Sequence, residues 1–493
     1  MRMRKRRSDL LVTVAICSAV VVVGCSSNSG SRSAPGVAVS GSASTSVSSA
    51  EAIDLDPTPP KRSAAKGLSK VRKCSDQKRT ECATLRVPLN YANAGGKKLS
   101  LPVRWSTRAG TNAPTLLYLN GGPGLGNNRQ FLKSTLNKLP KVAKNYRVAV
   151  IETRGTGDTA LDCPKLQADP DAVEDVMPMR PNQIEGCGKR IGEKRKFYTT
   201  EQTIADLDRY RRALRISSWA VMGFSYGTFE AQRYAIAYPA RTDTLTLDGV
   251  VRQDGGDAFY TPALHETGRV LREVCAEKNC GYDPAADLNK IVVEGMDGVA
   301  IFNALLFATL KQPYVYGLIK AIHKAANGNK RPLRQQIKIY PADPTSASEY
   351  SVGLFLATMC TDMRFPYGTS KAPLKSRPAA IREGVNEINP AALYPFDRTT
   401  ARGQGQISNC RHWPRTRPGR FTNAKFPDMP TLVINGDWDL ATPVSDARAQ
   451  AARIPNSQMV VVPRWGHETI ANPYGASQIS GFLLREKPSV VDQ

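Results

Sequence analysis

Histidine is scarce in this chain of 493 residues, which contains only four. They are His265, His323, His412 and His467, and no two cysteines have the Cys-x-x-Cys spacing. Structural zinc sites combine these two ligand types at short spacing, so we expect no metal site.

Long apolar runs are also missing: beyond the N-terminal segment, the chain has no apolar stretch near twenty residues in length. Together with a mean hydropathy of -0.35, this argues against a polytopic membrane protein. The composition is globular, with 41% apolar and 23% charged residues. The length predicts a core domain that carries a substantial insertion.

Acidic residues are outnumbered, with 43 Asp and Glu against 68 Lys and Arg, for a net charge of +25. The basic residues are dispersed along the chain, and no nucleic-acid-binding motif accompanies them. We therefore expect no nucleic-acid partner and a solvated basic surface that suits an anionic cell envelope.

The N-terminus is typical of a targeting segment. Basic residues at 2–7 precede an apolar stretch from Leu10 to Val23, which ends in Val22-Val23-Gly24-Cys25. This ending resembles the lipobox of bacterial lipoproteins, in which the cysteine becomes the lipid-modified N-terminus. We expect a signal peptide at 1–24, a membrane lipid anchor on Cys25 and an extracytoplasmic location. An uncleaved anchor helix is the alternative.

Residues 25–70 are rich in Ser, Ala, Gly and Pro and poor in large apolar side chains. Such a composition buries too little surface to offset its ordering entropy, which predicts a flexible tether.

The chain has ten cysteines. Cys17 would leave with the signal peptide and Cys25 would be lipidated, so an even number remains, which favours disulfides outside the cytoplasm. Sequence alone does not fix the pairing. Our hypothesis is sequential pairing, because the intervening segments are short excursions between motifs: Cys74–Cys82, Cys163–Cys187, Cys275–Cys280 and Cys360–Cys410.

Strand and helix patterns alternate over residues 71–250. Apolar runs at 115–119 and 146–152 end in glycine turns, which is typical of buried parallel strands, and runs at 83–87 and 99–104 predict an antiparallel pair. The alternation predicts a doubly wound, mostly parallel α/β sheet. It is lost over 251–427, which predicts an inserted, largely helical cap, and it returns over 428–493.

A nucleophile motif follows one of the predicted strands. Gly223-Phe224-Ser225-Tyr226-Gly227 matches G-x-S-x-G between a strand and a helix, where a tight turn exposes the serine hydroxyl. A serine hydroxyl is a poor nucleophile without a base, and the base needs an orienting acid.

The base and acid are sought downstream, since this arrangement places them in the order Ser, Asp, His. His467 alone among the histidines follows the last predicted strand. Asp439 and Asp437 both follow the strand before it. We favour Asp439, which lies three residues after Gly436 and has the reach to the histidine; Asp437 resembles a turn residue.

An oxyanion hole needs two backbone N–H groups. Tyr226, the residue after the nucleophile, supplies one, and Gly122 in Asn120-Gly121-Gly122-Pro123-Gly124 supplies the other, with Gly121 as the alternative. Side chains and backbone amides thus supply the chemistry, and no cofactor is expected.

Taken together, these motifs resemble the tripeptidyl aminopeptidase and prolyl aminopeptidase branch of α/β-hydrolases, especially its secreted actinobacterial members. The resemblance covers about Cys74 to Leu484. It is carried by residues 82–91, 120–124, 154–157, 223–228, 247–251, Cys360, Cys410 with Trp413-Pro414, and 436–443.

The resemblance implies an α/β-hydrolase core with a cap, and peptide substrates that lose short peptides or single residues from their free N-termini through an acyl-enzyme. Cap carboxylates bind the substrate amine in this family, and Asp362 is the candidate here. Two features depart from the pattern: Asn120 stands where prolyl aminopeptidases have histidine, and Glu468 follows His467. A carboxylesterase or endoprotease with the same triad is the alternative. A catalytically silent peptide-binding lipoprotein is a third hypothesis, against which the intact triad argues.

Overall fold

The computed structural model describes residues 67–110, 112–169, 172, 177–310, 315–338, 346–417 and 424–485. The expected signal peptide, the expected lipidation site Cys25 and nearly all of the expected tether lie outside these residues.

A nine-stranded sheet in the order β1-β2-β3-β5-β4-β6-β7-β8-β9 forms the centre of the described chain. Its first three strands pair antiparallel, and β3 pairs antiparallel with β5; all pairs from β5 to β9 are parallel. The strands are β1 Leu68–Lys73, β2 Thr80–Pro88, β3 Lys98–Ser106, β4 Thr115–Leu119, β5 Arg147–Ile151, β6 Trp219–Phe224, β7 Thr242–Asp248, β8 Thr431–Gly436 and β9 Ser457–Val462.

Both faces of this sheet are covered. In β4, Leu116 and Tyr118 belong to one apolar cluster, whereas Leu117 and Leu119 belong to another on the opposite face. Because successive side chains of a strand point to opposite faces, a central strand with helices on both sides must be apolar throughout. This explains why the short apolar runs in the sequence predicted buried strands correctly.

Outside the segment between β7 and β8, helices alternate with the strands from β4 onward, and one helix follows the last strand. They are α1 Asn128–Lys138, α2 Pro140–Asn145, α3 Pro164–Gln167, α4 Pro181–Ile191, α5 Thr200–Ala213 and α6 Tyr226–Ala237, with α16 Val444–Ala451 and α17 Pro473–Leu484 near the C-terminus. Short 3-10 turns occupy Tyr91–Asn93, Gly157–Thr159, Gly192–Phe197, Pro239–Arg241, Leu374–Ser376, Pro390–Ala392 and Thr469–Ala471.

The segment between β7 and β8 is helical in its described parts. Its helices are α7 Thr261–Glu277, α8 Pro284–Val293, α9 Gly298–Leu310, α10 Val315–Ala326, α11 Arg331–Ile337, α12 Val352–Asp362, α13 Arg377–Glu387, α14 Arg398–Gly403 and α15 Gly405–Cys410. Buried residues of these helices share one apolar cluster with Tyr226 and Phe229 of α6 and with Trp438 and Leu440. This helical segment, the expected cap, is therefore packed directly onto residues that follow Ser225 and flank Asp439.

The structure corrects the C-terminal boundary of the expected tether, because β1 begins at Leu68, inside the predicted range 25–70. Leu68 pairs with Leu85 of β2, and the other residues of β1 are exposed. An edge strand with a polar, basic face is poor in apolar residues, so its composition resembles that of a tether.

Four disulfides join the eight cysteines in the predicted sequential pairing: Cys74–Cys82, Cys163–Cys187, Cys275–Cys280 and Cys360–Cys410. Among the residues with a described structure, no helix has the length and apolar character needed to span a bilayer.

Candidate active site

Ser225 sits at the turn between β6 and α6. Its backbone has φ 53° and ψ −125°, a left-handed conformation that an L-residue adopts only when surrounding contacts impose it. Its N–H donates to the carbonyl of Asp248 at 2.9 Å, and its carbonyl accepts from the N–H of Thr228 at 2.8 Å. These bonds fix the turn on which the hydroxyl is carried.

The two flanking glycines are required by close backbone contacts. A Cβ on Gly223 would lie 2.3 Å from the carbonyl oxygen of Gly227, and one on Gly227 would lie 2.5 Å from that of Leu119. The glycines of the motif thus let α6 pack against the ends of β4 and β6.

His467 and Asp439 form a buried pair. The Nδ1 atom of His467 lies 2.7 Å from Oδ2 of Asp439, and the two residues are 6% and 1% exposed. The ring of His467 packs against that of Phe224, with centroids 4.9 Å apart, which brings it beside the serine turn. The structure therefore brings Asp439, His467 and the turn of Ser225 together at neighbouring strand ends.

Thr442, which sequence analysis did not identify, completes this pair. Its hydroxyl lies 2.7 Å from Oδ2 of Asp439 and 3.2 Å from Nδ1 of His467, and its N–H donates to Oδ1 of Asp439 at 3.0 Å. Asn435 adds a longer contact of 3.5 Å from Nδ2 to Oδ2 of Asp439. The spacing of Thr442, three residues after the acid, was the only available signal.

Asp437 lies apart from His467. Its N–H donates to the carbonyl of Val462 at 3.1 Å, and its carboxylate accepts backbone hydrogen bonds from Arg464 and Trp465. Burial raises its pKa above the ordinary value. Asp437 is thus a turn residue, consistent with the choice of Asp439.

The other three histidines occupy cap positions. His265 is exposed on α7. His323 binds Asp287 at 2.7 Å, and His412 accepts from Arg411 at 2.9 Å. None of these contacts involves Ser225 or Asp439.

The loop after β4 lies directly against the nucleophile, since a Cβ on Gly121 would be 2.9 Å from Cβ of Ser225. The N–H of Gly121 donates to the side chain of Asn120 at 2.8 Å. Within the described ranges, the N–H groups of Gly122 and Tyr226 donate to no other protein group. This difference favours Gly122 over Gly121 as the second oxyanion donor.

Asp362, the candidate for binding a substrate amine, is 4% exposed at the end of α12. Its Oδ2 atom accepts from the N–H and the hydroxyl of Thr200, both at 2.7 Å. The Thr200 hydroxyl also lies 2.8 Å from the phenol oxygen of Tyr226. Burial raises the pKa of Asp362 to about 6. The carboxylate thus accepts hydrogen bonds at the N-terminus of α5, and the Thr200 hydroxyl links it to the side chain of Tyr226.

Glu230 is a second buried acid on α6 that sequence analysis did not single out. It is 7% exposed, and its carboxyl makes no hydrogen bond or ion pair with any residue of the described chain. Its side chain lines a small cavity behind the oxyanion loop, together with Gly121, Thr203 and Thr358. Burial and the nearby charges of Asp362 and Asp206 raise its pKa to about 8.

A mostly parallel sheet, a strained serine between strand and helix, and an acid–histidine pair after the later strands define an α/β-hydrolase. Comparison with known families agrees. The family model described as alpha/beta hydrolase fold matches residues 114–272, and the model described as TAP-like protein matches residues 394–490.

Three relatives illustrate which known proteins this chain is similar to. The tripeptidyl aminopeptidase of Streptomyces lividans is 30% identical over 38% of this chain and 38% of its own length. The serine protease Hip1 of Mycobacterium tuberculosis is 25% identical over 34% of this chain and 36% of its own. The protein YuaR of Escherichia coli is 23% identical over 78% of this chain and 81% of its own length.

The chain therefore has the α/β-hydrolase fold, and it is similar in sequence to peptidases of that fold. The match spans about 38% of the length of the tripeptidyl aminopeptidases with which it aligns.

Proposed function

We propose that this chain is an extracytoplasmic serine peptidase that releases short peptides or single residues from free N-termini through an acyl-enzyme on Ser225. The observation that carries this proposal is the buried His467–Asp439 pair beside the strained turn of Ser225. A base held by an acid next to a serine hydroxyl is the arrangement that activates the hydroxyl for attack on a carbonyl.

The proton path follows from the contacts of His467. Because Nδ1 binds Asp439, Nε2 is the nitrogen that accepts the proton of Ser225 as its Oγ attacks the scissile carbonyl. The carboxylate of Asp439 then stabilises the imidazolium. His467 returns the proton to the leaving amine, and water hydrolyses the acyl-enzyme by the same steps.

Charge on the carbonyl oxygen develops next to the oxyanion loop. The N–H groups of Tyr226 and Gly122 would bind it, since neither is engaged by another group of the described chain. Tyr226 is further held by Thr200 and Asp362, so this donor is preorganised before substrate binds.

The preference for a free N-terminus rests on the relatives, which include tripeptidyl aminopeptidases and the proline iminopeptidase aneH of Aspergillus aculeatus. One observation favours the alternative, a cell-envelope carboxylesterase or endoprotease with the same triad. The carboxylate of Asp362, the candidate amine ligand, is already bound to Thr200.

The location proposed is the cell envelope, with a lipid anchor on Cys25 and peptides as substrates. Four disulfides support a compartment outside the cytoplasm. Radiolabelled palmitate incorporation that disappears in Cys25→Ser would test the anchor.

Hydrolysis of matched tripeptide amides with free and acetylated N-termini tests the specificity, with a p-nitrophenyl ester run alongside. We expect a strong preference for the free amine. Equal rates on both amides together with fast ester turnover would instead indicate the esterase or endoprotease. In either case Ser225→Ala must abolish turnover; unchanged hydrolysis in this variant would refute the mechanism.

A further inference from the structure

Asp248 is a fully buried acid at the end of β7 that the proposed mechanism does not use. It stands opposite Phe224 in the pairing of β6 with β7, so it lies one residue from the nucleophile across the sheet. Its backbone carbonyl accepts the N–H of Ser225 at 2.9 Å.

The carboxylate of Asp248 holds the segment that follows His467. Oδ1 accepts from the hydroxyl of Thr469 at 2.7 Å and from its N–H at 3.2 Å, and Oδ2 accepts from the N–H of Ile470 at 3.2 Å. One residue therefore bonds to the serine turn with its main chain and to the histidine loop with its side chain.

The next residue brings the same strand end against the imidazole. Gly249 has φ 67°, and a Cβ there would lie 3.0 Å from Cε1 and 3.1 Å from Nδ1 of His467. Glycine is required because of both the positive φ and this contact. Gly249, the residue after Asp248, thus lies directly against His467, and this approach is separate from the contact made by Asp439.

In the described part of the chain, two titratable groups interact electrostatically with the Asp248 carboxyl: His467 on the loop after β9, and Tyr118 on β4. Burial raises the pKa of Asp248 to about 7, although its hydrogen bonds to Thr469 and Ile470 and the charge of His467 oppose the rise. A positive charge on His467 therefore favours the ionised form of Asp248.

We propose that Asp248 is a positioning residue for the base: it fixes the His467 loop relative to Ser225, and its negative charge supports the imidazolium formed when Ser225 loses its proton. This inference rests on the proposed serine-hydrolase mechanism. Asp439 orients the ring through Nδ1, whereas Asp248 acts through the loop and the electrostatic field.

The experiment measures how fast a fluorophosphonate probe labels Ser225 as a function of pH, in the full-length protein and its Asp248→Asn variant. The probe needs only an activated serine, so the substrate need not be known. Asparagine keeps the size and an acceptor for Thr469, but it removes the charge and the acceptor for the Ile470 N–H. We expect labelling to slow by about tenfold to a hundredfold.

We also expect the acid limb of the labelling profile to move by about half a pH unit to lower pH in D248N. The reason is that an imidazolium stabilised by Asp439 alone, without a second negative charge nearby, releases its proton at lower pH. Glu152→Gln is the matched control: Glu152 is also a buried acid hydrogen-bonded to an N–H and a hydroxyl, but it follows β5, and its bonds are to Asn128 and Thr156 rather than to the His467 loop. Its acid limb should not move.

Thr469→Val and Thr469→Ser test the positioning role separately and guard against misfolding of D248N. The valine variant loses the 2.7 Å hydrogen bond and should label several-fold more slowly, and serine should restore the rate. Parent-like labelling and an unmoved acid limb in D248N would overturn the inference. Slower labelling with an unmoved limb would overturn its electrostatic part. Absence of labelling in the parent would instead refute the proposed function.

Discussion

The Nδ1 atom of His467 lies 2.7 Å from Oδ2 of Asp439, whereas the carboxylate of Asp437, two residues earlier in the same loop, accepts hydrogen bonds from the backbone of Arg464 and Trp465. The two aspartates share a loop but differ in whether the carboxylate contacts the histidine. The pair therefore offers a controlled comparison of an orienting acid with a structural one.

Asp439→Asn should lower kcat by about a thousandfold to ten-thousandfold, because an amide neither fixes the imidazole tautomer nor stabilises the imidazolium. Asp437→Asn should leave kcat close to that of the parent. Steady-state kinetics on the best peptide or ester substrate, with thermal unfolding of each variant, makes the comparison. Equal losses in both variants would contradict the assignment of Asp439.

A further prediction concerns Thr442, which contacts both members of the His467–Asp439 pair. Its hydroxyl bonds to Oδ2 of Asp439 and contacts Nδ1 of His467, so Thr442→Val removes a hydrogen bond to a charged group. We expect kcat to fall by roughly tenfold to a hundredfold, with KM nearly unchanged. Thr442→Ser keeps the hydroxyl and should recover most of the loss. A valine variant as active as the parent would show that the contact is dispensable.

The sequence was informative about the site wherever local pattern and strand order determine position. G-x-S-x-G placed Ser225 because a strained turn needs glycines on both sides, and chain order left His467 as the base. Asp439 and Gly122 were chosen over close neighbours, and the contacts of Asp437 and Gly121 are consistent with those choices.

The sequence did not reveal those site residues whose roles depend on contacts between segments that are distant along the chain. Asp248 and Thr469 are 221 residues apart, and Glu230 lies in an ordinary helical pattern, so nothing local marks either acid. The role of Asp362 depends on Thr200, which is 162 residues away. Residues 68–70 were assigned to the tether because an exposed edge strand lacks the apolar signal of a buried one.

Gly121→Ala tests the close approach of the oxyanion loop to the nucleophile. An added Cβ would lie 2.9 Å from Cβ of Ser225, so the loop or the serine must shift. A displacement of this size in the reacting geometry should reduce kcat by roughly a hundredfold. The matched control is Gly186→Ala on α4, where no atom lies within 4 Å of the added Cβ. That variant should keep full activity; similar losses in both would exclude a specific role for the loop.

The disulfides predict a graded loss of stability. Cys360–Cys410 joins α12 to α15 across 50 residues, whereas Cys275–Cys280 closes a loop of 5. Because a longer loop constrains the unfolded chain more, replacing both cysteines by alanine should cost roughly 4 kcal/mol for the first pair and roughly 2 kcal/mol for the second. Urea unfolding of the two double variants measures this difference. Equal losses would argue against loop entropy as the cause.

The raised pKa of Glu230 predicts how the free energy of unfolding depends on pH. Its folded-state pKa of about 8 lies above the ordinary value of 4.5, because the carboxyl is buried near Asp362 and Asp206. Between these pH values the unfolded chain has released the proton that the folded chain still holds. The contribution of Glu230 to the free energy of unfolding is fully present below about pH 4.5, and it is lost as pH rises through about 8.

Glutamine at position 230 does not titrate, so the stability of Glu230→Gln relative to the parent should increase across this range. We expect a relative gain of roughly 3 kcal/mol between acidic and alkaline pH, measured by urea unfolding at several pH values. Glu383→Gln, an exposed acid on α13, is the control and should show no such trend. A pH-independent difference between parent and E230Q would mean that Glu230 is ionised in the folded protein. The cavity beside the oxyanion loop would then have to supply a partner for its charge.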